Sequence, residues 1–341
     1  MKGNAYPQKK VRHLLPLLLI ILVVFIFLSF LIGRYSIPFP VLISIMGFGD
    51  TGTTIDQARM VFFDIRIPRI AAAVLIGAAL SVAGAAYQGI FKNPIVSPDI
   101  LGAAAGAGFG ASLAVTLGWN ALGMQTLAFC FGIVAVAMAY SLGMAIGRRS
   151  GAVIVLVLTG MVVGALFSAG ISIIKYVADP YDTLPAITFW LMGGLSYVIS
   201  YDIYVMFVPF LFGIVPLLLM RWRLNILSLG DEEAEALGID VHRMRMIVII
   251  CATLLSSSAV AIGGMIGWVG LVVPHLARMI TGPDYQRLLP VAMVMGAVFL
   301  LLVDDIARCL FAMEIPLGVL TALAGAPFFI YLLFKGRRSF L

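Results

Sequence analysis

Charge is what this 341-residue sequence lacks most: Asp, Glu, Lys and Arg make up 11% of its residues, whereas hydrophobic residues make up 62%. Soluble globular domains carry about 25% charged residues. The composition therefore excludes water as the main solvent of the chain. One helical crossing of a bilayer needs about 20 apolar residues, so the length allows about ten crossings with short connections. No room remains for a sizeable soluble domain.

Motifs of enzymes and metal sites are also missing. There is no glycine-rich loop ending in Gly-Lys-Ser or Gly-Lys-Thr, so we do not expect this chain to hydrolyse nucleotides. No helix-borne histidine pair and no plausible Ser/His/Asp set occurs. Cys130, Cys251 and Cys309 are scattered singly, which is typical of small buried hydrophobes. We expect no catalytic residue, no metal ligand and no cofactor on this chain.

Ionisable residues are nearly absent from the centres of the apolar runs. Carriers that couple transport to protons or sodium usually keep such residues inside the membrane. If this chain belongs to a transporter, the energy source is therefore expected on another polypeptide.

The apolar runs predict an all-α integral membrane protein, a single transmembrane domain over residues 1–341. Helices are expected because backbone polar groups find no water partner in hydrocarbon. From Gly263 to Arg278, four glycines and Pro274 predict a broken or re-entrant element, with the break in the eighth segment at Pro274, and His275 as a packed or capping residue. The ten segments lie near 14–33, 67–90, 100–119, 121–147, 152–174, 203–220, 246–266, 269–282, 288–303 and 316–334.

Basic residues predict the orientation, because cytoplasmic connections of membrane proteins are enriched in Lys and Arg. With both termini in the cytoplasm, 16 of the 22 basic residues lie inside and 6 outside. The net charge of +6 is thus explained by topology, and nucleic-acid binding is not needed to account for it. The six outer residues are Arg34, Arg59, Arg66, Arg69, Lys175 and Arg308.

Two stretches are too long to be tight turns between spans. The extracytoplasmic segment 175–202 contains Pro180, Pro185 and an apolar piece, 187–195, which predicts a short helix near the outer interface. The cytoplasmic segment 221–245 carries an acidic cluster around Glu233 between basic ends. Its apolar spacing predicts short amphipathic helices at the membrane surface.

Two further patterns each allow two interpretations. Gly102, Gly106 and Gly110 recur every four residues, so one helical face is open to close approach, either for packing or for lining a pathway. Arg66, Arg69 and Arg308 are predicted to face out. They suit pairing with carboxylates of a partner protein, or they extend from the interface toward water.

Several stretches together resemble the FecCD-type permeases, the membrane subunits of ABC importers for iron-siderophores, haem and cobalamin. They follow one another in order through nearly the whole chain after the first helix. One departure is Ala324, where a glycine is usual, and another is the run Pro283 to Arg287. The stretches are RIPR (66–69), GAAL (77–80), YQGIFKNPIVSPDILGAAAGAGFGA (87–111), FWLMGGLS (189–196), LNILSLGDEEAEALGIDV (224–241), GMIGWVGLVVPHLAR (264–278), DDIAR (304–308) and EIPLGVLTALAGAPFFIYLL (314–333).

The resemblance implies a type II importer fold of ten helices and a homodimer with the translocation path on its axis. Two separate subunits would bind and hydrolyse ATP, and an extracytoplasmic binding protein would deliver the substrate. Arg66, Arg69 and Arg308 would dock that protein. Gly102, Gly106, Gly110 and Met192 would lie along the path or pack beside it. The coupling segment to the ATPase would span Leu227 to Asp240 and include Leu227, Leu229, Gly230, Glu233, Ala234, Leu237 and Gly238.

The sequence leaves the cargo open among a ferric siderophore, haem, a cobalamin-like corrinoid and an oxyanion such as molybdate. Two other classes of function stand beside the importer. A secondary transporter working alone predicts uptake driven by an ion gradient without any ATPase. A membrane scaffold or a membrane-embedded enzyme predicts no substrate flux.

Overall fold

The computed structural model describes residues 13–33, 35, 37–45, 53–147, 152–310 and 313–336. Several basic residues used for the orientation, such as Arg34, Arg148 and Arg149, lie outside these ranges. Within them the regular structure is helical: α1 Leu14–Leu31, α2 Phe39–Ile43, α3 Thr53–Met60, a π-helix Val61–Arg66, α4 Ile67–Ile90, α5 Ala103–Thr116, α6 Ala121–Ile146, α7 Ala152–Val177, α8 Thr183–Leu191, α9 Ser200–Leu219, α10 Arg221–Leu229, α11 Asp231–Ala236, α12 Val241–Gly263, α13 Val269–Thr281, α14 Tyr285–Cys309 and α15 Leu317–Gly336.

The ten predicted segments correspond to ten of these helices. Seven helices of the described residues are long and apolar enough to cross a membrane, and α5, α13 and α15 are shorter apolar helices. The all-α membrane fold is therefore confirmed. The second span begins earlier than predicted, because α3 and the π-helix continue directly into α4. Charges at Asp56, Arg59 and Asp64 had interrupted the hydropathy there.

The break in the region 263–278 lies before α13, and Pro274 lies inside that helix. The prediction that Pro274 breaks the eighth segment is thus wrong. Residues 264–268 are not helical. They contain Gly264 and Trp268, both with a positive φ, of 68° and 69°. The chain reverses at these residues, and Pro274 is tolerated one turn into the helix that follows.

The helices α4, α12 and α14 form the interior of the bundle. In the most apolar window of each, 83%, 72% and 61% of the residues are buried, against 28% in α6 and in α7 and 6% in α1. Small residues allow α4 to lie so deep. A Cβ on Gly84 would come within 1.8 Å of the Gly270 carbonyl oxygen, and one on Gly77 within 2.2 Å of the Gly296 carbonyl oxygen.

Short helices occupy both predicted non-spanning segments. Residues 175–202 contain α8, which begins at Thr183, slightly before the predicted position. Residues 221–245 contain α10 and α11, which meet at Gly230. We call the end of the bundle that holds residues 66–69, 304–308 and 314 the outer end. The end that holds α10 and α11 is the inner end.

Candidate functional site

A buried ionic cluster lies at the outer end of the bundle, around Arg69. The Arg69 guanidinium donates to both carboxylate oxygens of Asp304, with Nε–Oδ2 and Nη2–Oδ1 distances of 2.9 Å. Its Nη1 donates to Glu314 Oε1, also at 2.9 Å. Glu314 accepts a further hydrogen bond from the Ser196 hydroxyl. One arginine thus connects the start of α4, the end of α14 and the connection before α15, and Glu314 adds the segment after α8.

The other two predicted arginines belong to the same region. Arg308 pairs with Asp305 and donates to the backbone oxygen of Ser29 at 2.9 Å. The Ser29 hydroxyl donates to Asp305 Oδ1 at 2.6 Å. Arg66 donates to the backbone oxygens of Phe30 and Tyr35. Arg66 and Arg308 therefore tie the outer end of α1 to α4 and α14.

All three arginines are buried in the chain by itself, with exposed fractions of 3% for Arg66, 6% for Arg69 and 5% for Arg308. Their role in docking a partner stays a prediction. The structure adds a second role, in which each arginine holds helices of its own chain together. Sequence reasoning missed the acidic partners Asp304, Asp305 and Glu314. Two adjacent aspartates at the end of an apolar run were the available signal, because buried carboxylates need cationic partners.

The predicted coupling segment has one face in the protein and one face exposed. Leu227 and Ala234 are buried, which fixes α10 and α11 against the bundle. Leu229 and Leu237 are exposed at 66% and 62%. Glu233 lies on the exposed side. Gly238 has a φ of 79°, a conformation that favours glycine, and Gly230 forms the joint between the two helices.

Asp231, the first residue of α11, is the centre of an ion-pair network that sequence reasoning missed. Lys92 Nζ lies 2.9 Å from its Oδ1. Arg245 Nη2 lies 2.9 Å from its Oδ2 and 3.1 Å from its Oδ1. Burial alone would raise the pKa of Asp231, but the hydrogen bonds from Lys92 and Arg245 outweigh burial and hold the pKa below its usual value. We call these three residues the Asp231 triad.

A cavity of about 460 Å³ lies between the connection after α4 and the reversal before α13. Asp99 is exposed along its wall. Asp99 Oδ1 accepts a hydrogen bond from the backbone nitrogen of Ala104 at 2.6 Å, so it caps α5. Desolvation raises the pKa of Asp99 to about 6, against the lowering effect of that hydrogen bond. The lining includes Leu80, Ser97, Pro98, Asp99, Ala104, Ser256, Val260, Met265, Trp268 and Leu271.

The glycine strip of α5 packs against α6. A Cβ on Gly106 would lie 2.4 Å from the Phe131 carbonyl oxygen, and one on Gly110 would lie 2.4 Å from that of Leu127. Gly102 precedes the helix with a φ of 82° and lies beside α7, near Gly164. Met192 follows α8, and its backbone oxygen accepts a hydrogen bond from Gly318 at 3.1 Å. Gly106 and Gly110 therefore serve close helix packing, whereas Gly102 and Met192 lie where elements meet.

Comparison with known proteins supports a single family for the whole chain. The model of the FecCD transport family matches residues 21–335. The molybdate import system permease protein MolB of Haemophilus influenzae is 42% identical over 340 residues, which is 99% of each protein. The hemin transport system permease protein HmuU of Yersinia pestis is 34% identical and likewise covers 99% of both. The match thus includes the outer cluster, the Asp231 triad and the cavity.

A solved structure agrees with the fold. It is an ABC transporter assigned to the metal-chelate type, in an inward-facing conformation, and it is 39% identical to this chain. The TM-score is 0.84, with 97% of this chain and all of the solved chain covered. At this identity and coverage, both the helical architecture and the family are shared.

Proposed function

The chain belongs to the FecCD transport family, and on that premise we propose that it is the membrane-spanning subunit of an importer that carries a metal complex into the cytoplasm. That it is an ABC permease subunit follows from the family match and from the shared fold. The observation that carries the proposal is this match over residues 21–335, a range that includes all or part of the ten apolar helices found among the described residues.

In the proposed importer, ATP hydrolysis takes place on two separate subunits bound at the inner end. The exposed side of α10 and α11 suits such an interface, because Leu229 and Leu237 present apolar groups beside the carboxylate of Glu233. Buried Leu227 and Ala234 would carry a displacement of these helices into the bundle. The complex is proposed to lie in the cytoplasmic membrane with both termini inside and to contain a second copy of this chain.

The outer end is proposed to receive an extracytoplasmic binding protein. Glu314 is the most accessible carboxylate paired with Arg69, since its side chain is 29% exposed while that of Asp304 is 0% exposed. An acidic residue of the partner would therefore replace Glu314 on Arg69 and leave the buried Asp304 pair intact. In this form, the docking role of Arg69 is compatible with its burial.

Two cargo classes remain, and each has support from a relative. The HmuU relative and the metal-chelate type structure favour a chelate such as a ferric siderophore, haem or a corrinoid. The MolB relative favours an oxyanion such as molybdate. We propose the metal chelate as the first candidate and the oxyanion as the second. We expect the binding protein to select the cargo. The small and apolar residues along the path offer few groups that could distinguish one cargo from another.

Purification of the assembled complex from its native membrane tests the proposal. We expect an ATP-binding cassette subunit and an extracytoplasmic binding protein to co-purify with the tagged chain. Metal analysis and mass spectrometry of the cargo released from the binding protein would distinguish a chelate from molybdate. Uptake by the purified chain alone in vesicles, driven by an ion gradient, would contradict the proposal.

A further inference from the structure

The Asp231 triad joins the proposed ATPase-binding segment to two walls of the cavity lined by Asp99. Asp231 begins α11, Lys92 begins the connection from α4 to α5, and Arg245 lies in the first turns of α12. The connection supplies Ser97, Pro98 and Asp99 to the cavity lining, and α12 supplies Ser256 and Val260. A carboxylate of the coupling segment is thus bonded to two elements whose other parts form the cavity walls.

Lys92 has an unusual backbone for its residue type. Its φ of 51° lies in the left-handed region, which is unfavourable for a residue other than glycine. The backbone nitrogen of Lys92 donates to the Gly89 oxygen, and that of Asn93 donates to the Gln88 oxygen. This is the pairing of a helix end at which glycine is the usual residue. Because glycine would adopt this backbone without strain, we attribute the presence of lysine to its side chain, which is bonded to Asp231.

The connection after Lys92 is bonded both within itself and to neighbouring elements. Asn93 Oδ1 accepts a hydrogen bond from the Ile95 backbone nitrogen at 3.0 Å. Gln88 Nε2 donates to the backbone oxygens of Val96 and Leu271, both at 3.4 Å. Asp99 closes the connection onto α5 through Ala104. These hydrogen bonds form a continuous connection from Lys92 to the cavity lining.

The second arm of the triad is the continuous helix α12. Arg245 and Ser256 lie eleven residues apart on α12, which is about 16 Å along the helix axis. The Arg245 side chain is 14% exposed, so solvent screens its bond to Asp231 less than it screens the bond from Lys92. Its Nε is buried without a hydrogen-bond partner among the described residues. Asp231 is therefore the main partner of the partly desolvated Arg245 guanidinium.

We propose that the Asp231 triad is the positioning device that transmits movement of α11 to the cavity lined by Asp99, with Lys92 moving the 93–102 connection and Arg245 moving α12. The inference rests on the proposed function, because it takes α10 and α11 to be the segment that the ATPase moves. Lys92, Asp231 and Arg245 are positioning residues in this account. The cavity walls at Ser97 and Ser256 are what they position.

The test uses the assembled importer in liposomes, with the three native cysteines replaced by alanine and a reporter introduced as Ser97→Cys. The probe is a membrane-impermeant maleimide, and its labelling rate is measured with and without ATP plus vanadate. We expect nucleotide trapping to change the labelling rate by about fivefold or more, the range of ordinary coupling between sites. Lys92→Gly should remove this change while the ATPase subunits stay bound and ATP hydrolysis continues.

Lys92→Gly separates transmission from stability. Glycine suits the positive φ, so if Lys92 serves only to end the helix, both the melting temperature and the nucleotide response should stay unchanged. Lys92→Arg should restore the response, since it restores the bond to Asp231. Asp231→Asn should reduce the response as Lys92→Gly does. Arg243→Ala is the matched control, because Arg243 forms an exposed pair with Asp240 in the same segment and is not bonded to the cavity connection.

Three outcomes would overturn the inference: a full nucleotide response in Lys92→Gly, an equal loss in Arg243→Ala, or a loss that accompanies a lowered melting temperature and is not restored by Lys92→Arg. Failure of the proposed function looks different. In that case no ATPase subunit binds the unsubstituted chain.

Discussion

At the scale of single residues, buried charge at the outer end has the strongest energetic consequence. Asp304 is fully buried, and Arg69 neutralises it through three hydrogen bonds of 2.9–3.0 Å. Removing one partner of a buried pair leaves the other charge unpaired in a poorly solvated site. The free-energy cost is then set by the desolvation of the unpaired charge, and it exceeds the stabilisation that the ion pair itself provides.

Arg69→Met should therefore destabilise the chain by about 3–5 kcal/mol. Thermal unfolding in detergent, followed by the fluorescence of a thiol-reactive dye, measures the change. Arg59→Met is the control, because Arg59 is exposed on α3, and a surface substitution of this kind is expected to stay within about 0.5 kcal/mol. Arg69→Met combined with Asp304→Leu should recover much of the loss. Equal stability of Arg69→Met and Arg59→Met would contradict the burial argument.

Asp99 makes the electrostatics of the cavity that it lines dependent on pH. Its pKa is raised to about 6, so the carboxyl group is neutral below pH 6 and negative above it. With the reporter Ser97→Cys, a cationic thiol reagent should react with the cysteine faster than an anionic reagent does above pH 6. The difference between the two rates should become smaller below pH 6. The ratio of the two rates cancels the ionisation of the thiol. Asp99→Asn should abolish the pH dependence, and a ratio that still changes near pH 6 would assign the effect to another group.

At the scale of helices, glycine pairs determine how deeply α4 can be buried. Gly84 meets the backbone of Gly270 on α13, and Gly77 meets that of Gly296 on α14. The sequence motif with the most regular spacing was the strip at Gly106 and Gly110, which packs α5 on α6. The pairs on α4 were less apparent, because each partner glycine lies on a helix far away in the sequence.

Gly84→Ala should disrupt the packing of α4 on α13, since the added methyl group would come within 1.8 Å of backbone that cannot move aside easily. We expect destabilisation of about 1–3 kcal/mol or a loss of folded protein. Gly164→Ala is the matched control. A Cβ there meets its nearest atom at 3.7 Å, an ordinary contact, and alanine favours a helix interior. Size-exclusion profiles and melting temperatures in detergent compare the two, and equal behaviour would refute the close approach.

At the scale of the whole molecule, the proposed second copy requires a surface on which to pack. The helix α7 exposes a row of apolar side chains, among them Val162 at 68% and Leu166 at 61%. Hydrocarbon alone would also accept these side chains, so the apolar row by itself does not identify the interface.

We expect native mass spectrometry of the purified complex to show two copies of this chain. Val162→Trp with Leu166→Trp should shift the mass toward a single copy, because bulky rings would separate packed helices. Val208→Trp on α9, where Val208 is 56% exposed, serves as the control. Dissociation by the α9 substitution with no effect of those on α7 would place the interface on another side of the bundle.

The outer end allows a test of docking that spares the buried ion pair. Glu314→Gln should strengthen binding of the extracytoplasmic protein, because a neutral amide competes less for Arg69 than a carboxylate does. The gain should shrink as salt is raised. Asp56→Asn, at an exposed acidic residue of α3, controls for the general loss of negative charge. Biolayer interferometry measures the affinity. Equal affinities for Glu314→Gln and Asp56→Asn would remove Arg69 from the docking surface.

Much of the fold could be predicted from the sequence, because apolar segments prefer hydrocarbon and charged connections prefer water. Apolar runs of membrane-spanning length and charged or turn-forming connections predicted ten helices, and the short helices at 183–191 and 221–236 followed from segments too long for turns. These predictions depend on local composition. Local composition gave a wrong prediction in two places. Charges between Asp56 and Arg66 suggested a connection where the chain is helical, and Pro274 suggested a break where the helix continues through its second turn.

Partnerships between distant residues were decided by the tertiary structure. The sequence determined that Arg66, Arg69 and Arg308 are exceptional charges at one end of an apolar bundle. It did not determine that Asp304, Asp305 and Glu314 neutralise them, or that Asp231 joins Lys92 to Arg245. The physical reason is that hydropathy acts along the chain, whereas an ion pair depends on a distance of about 3 Å between side chains that folding alone brings together.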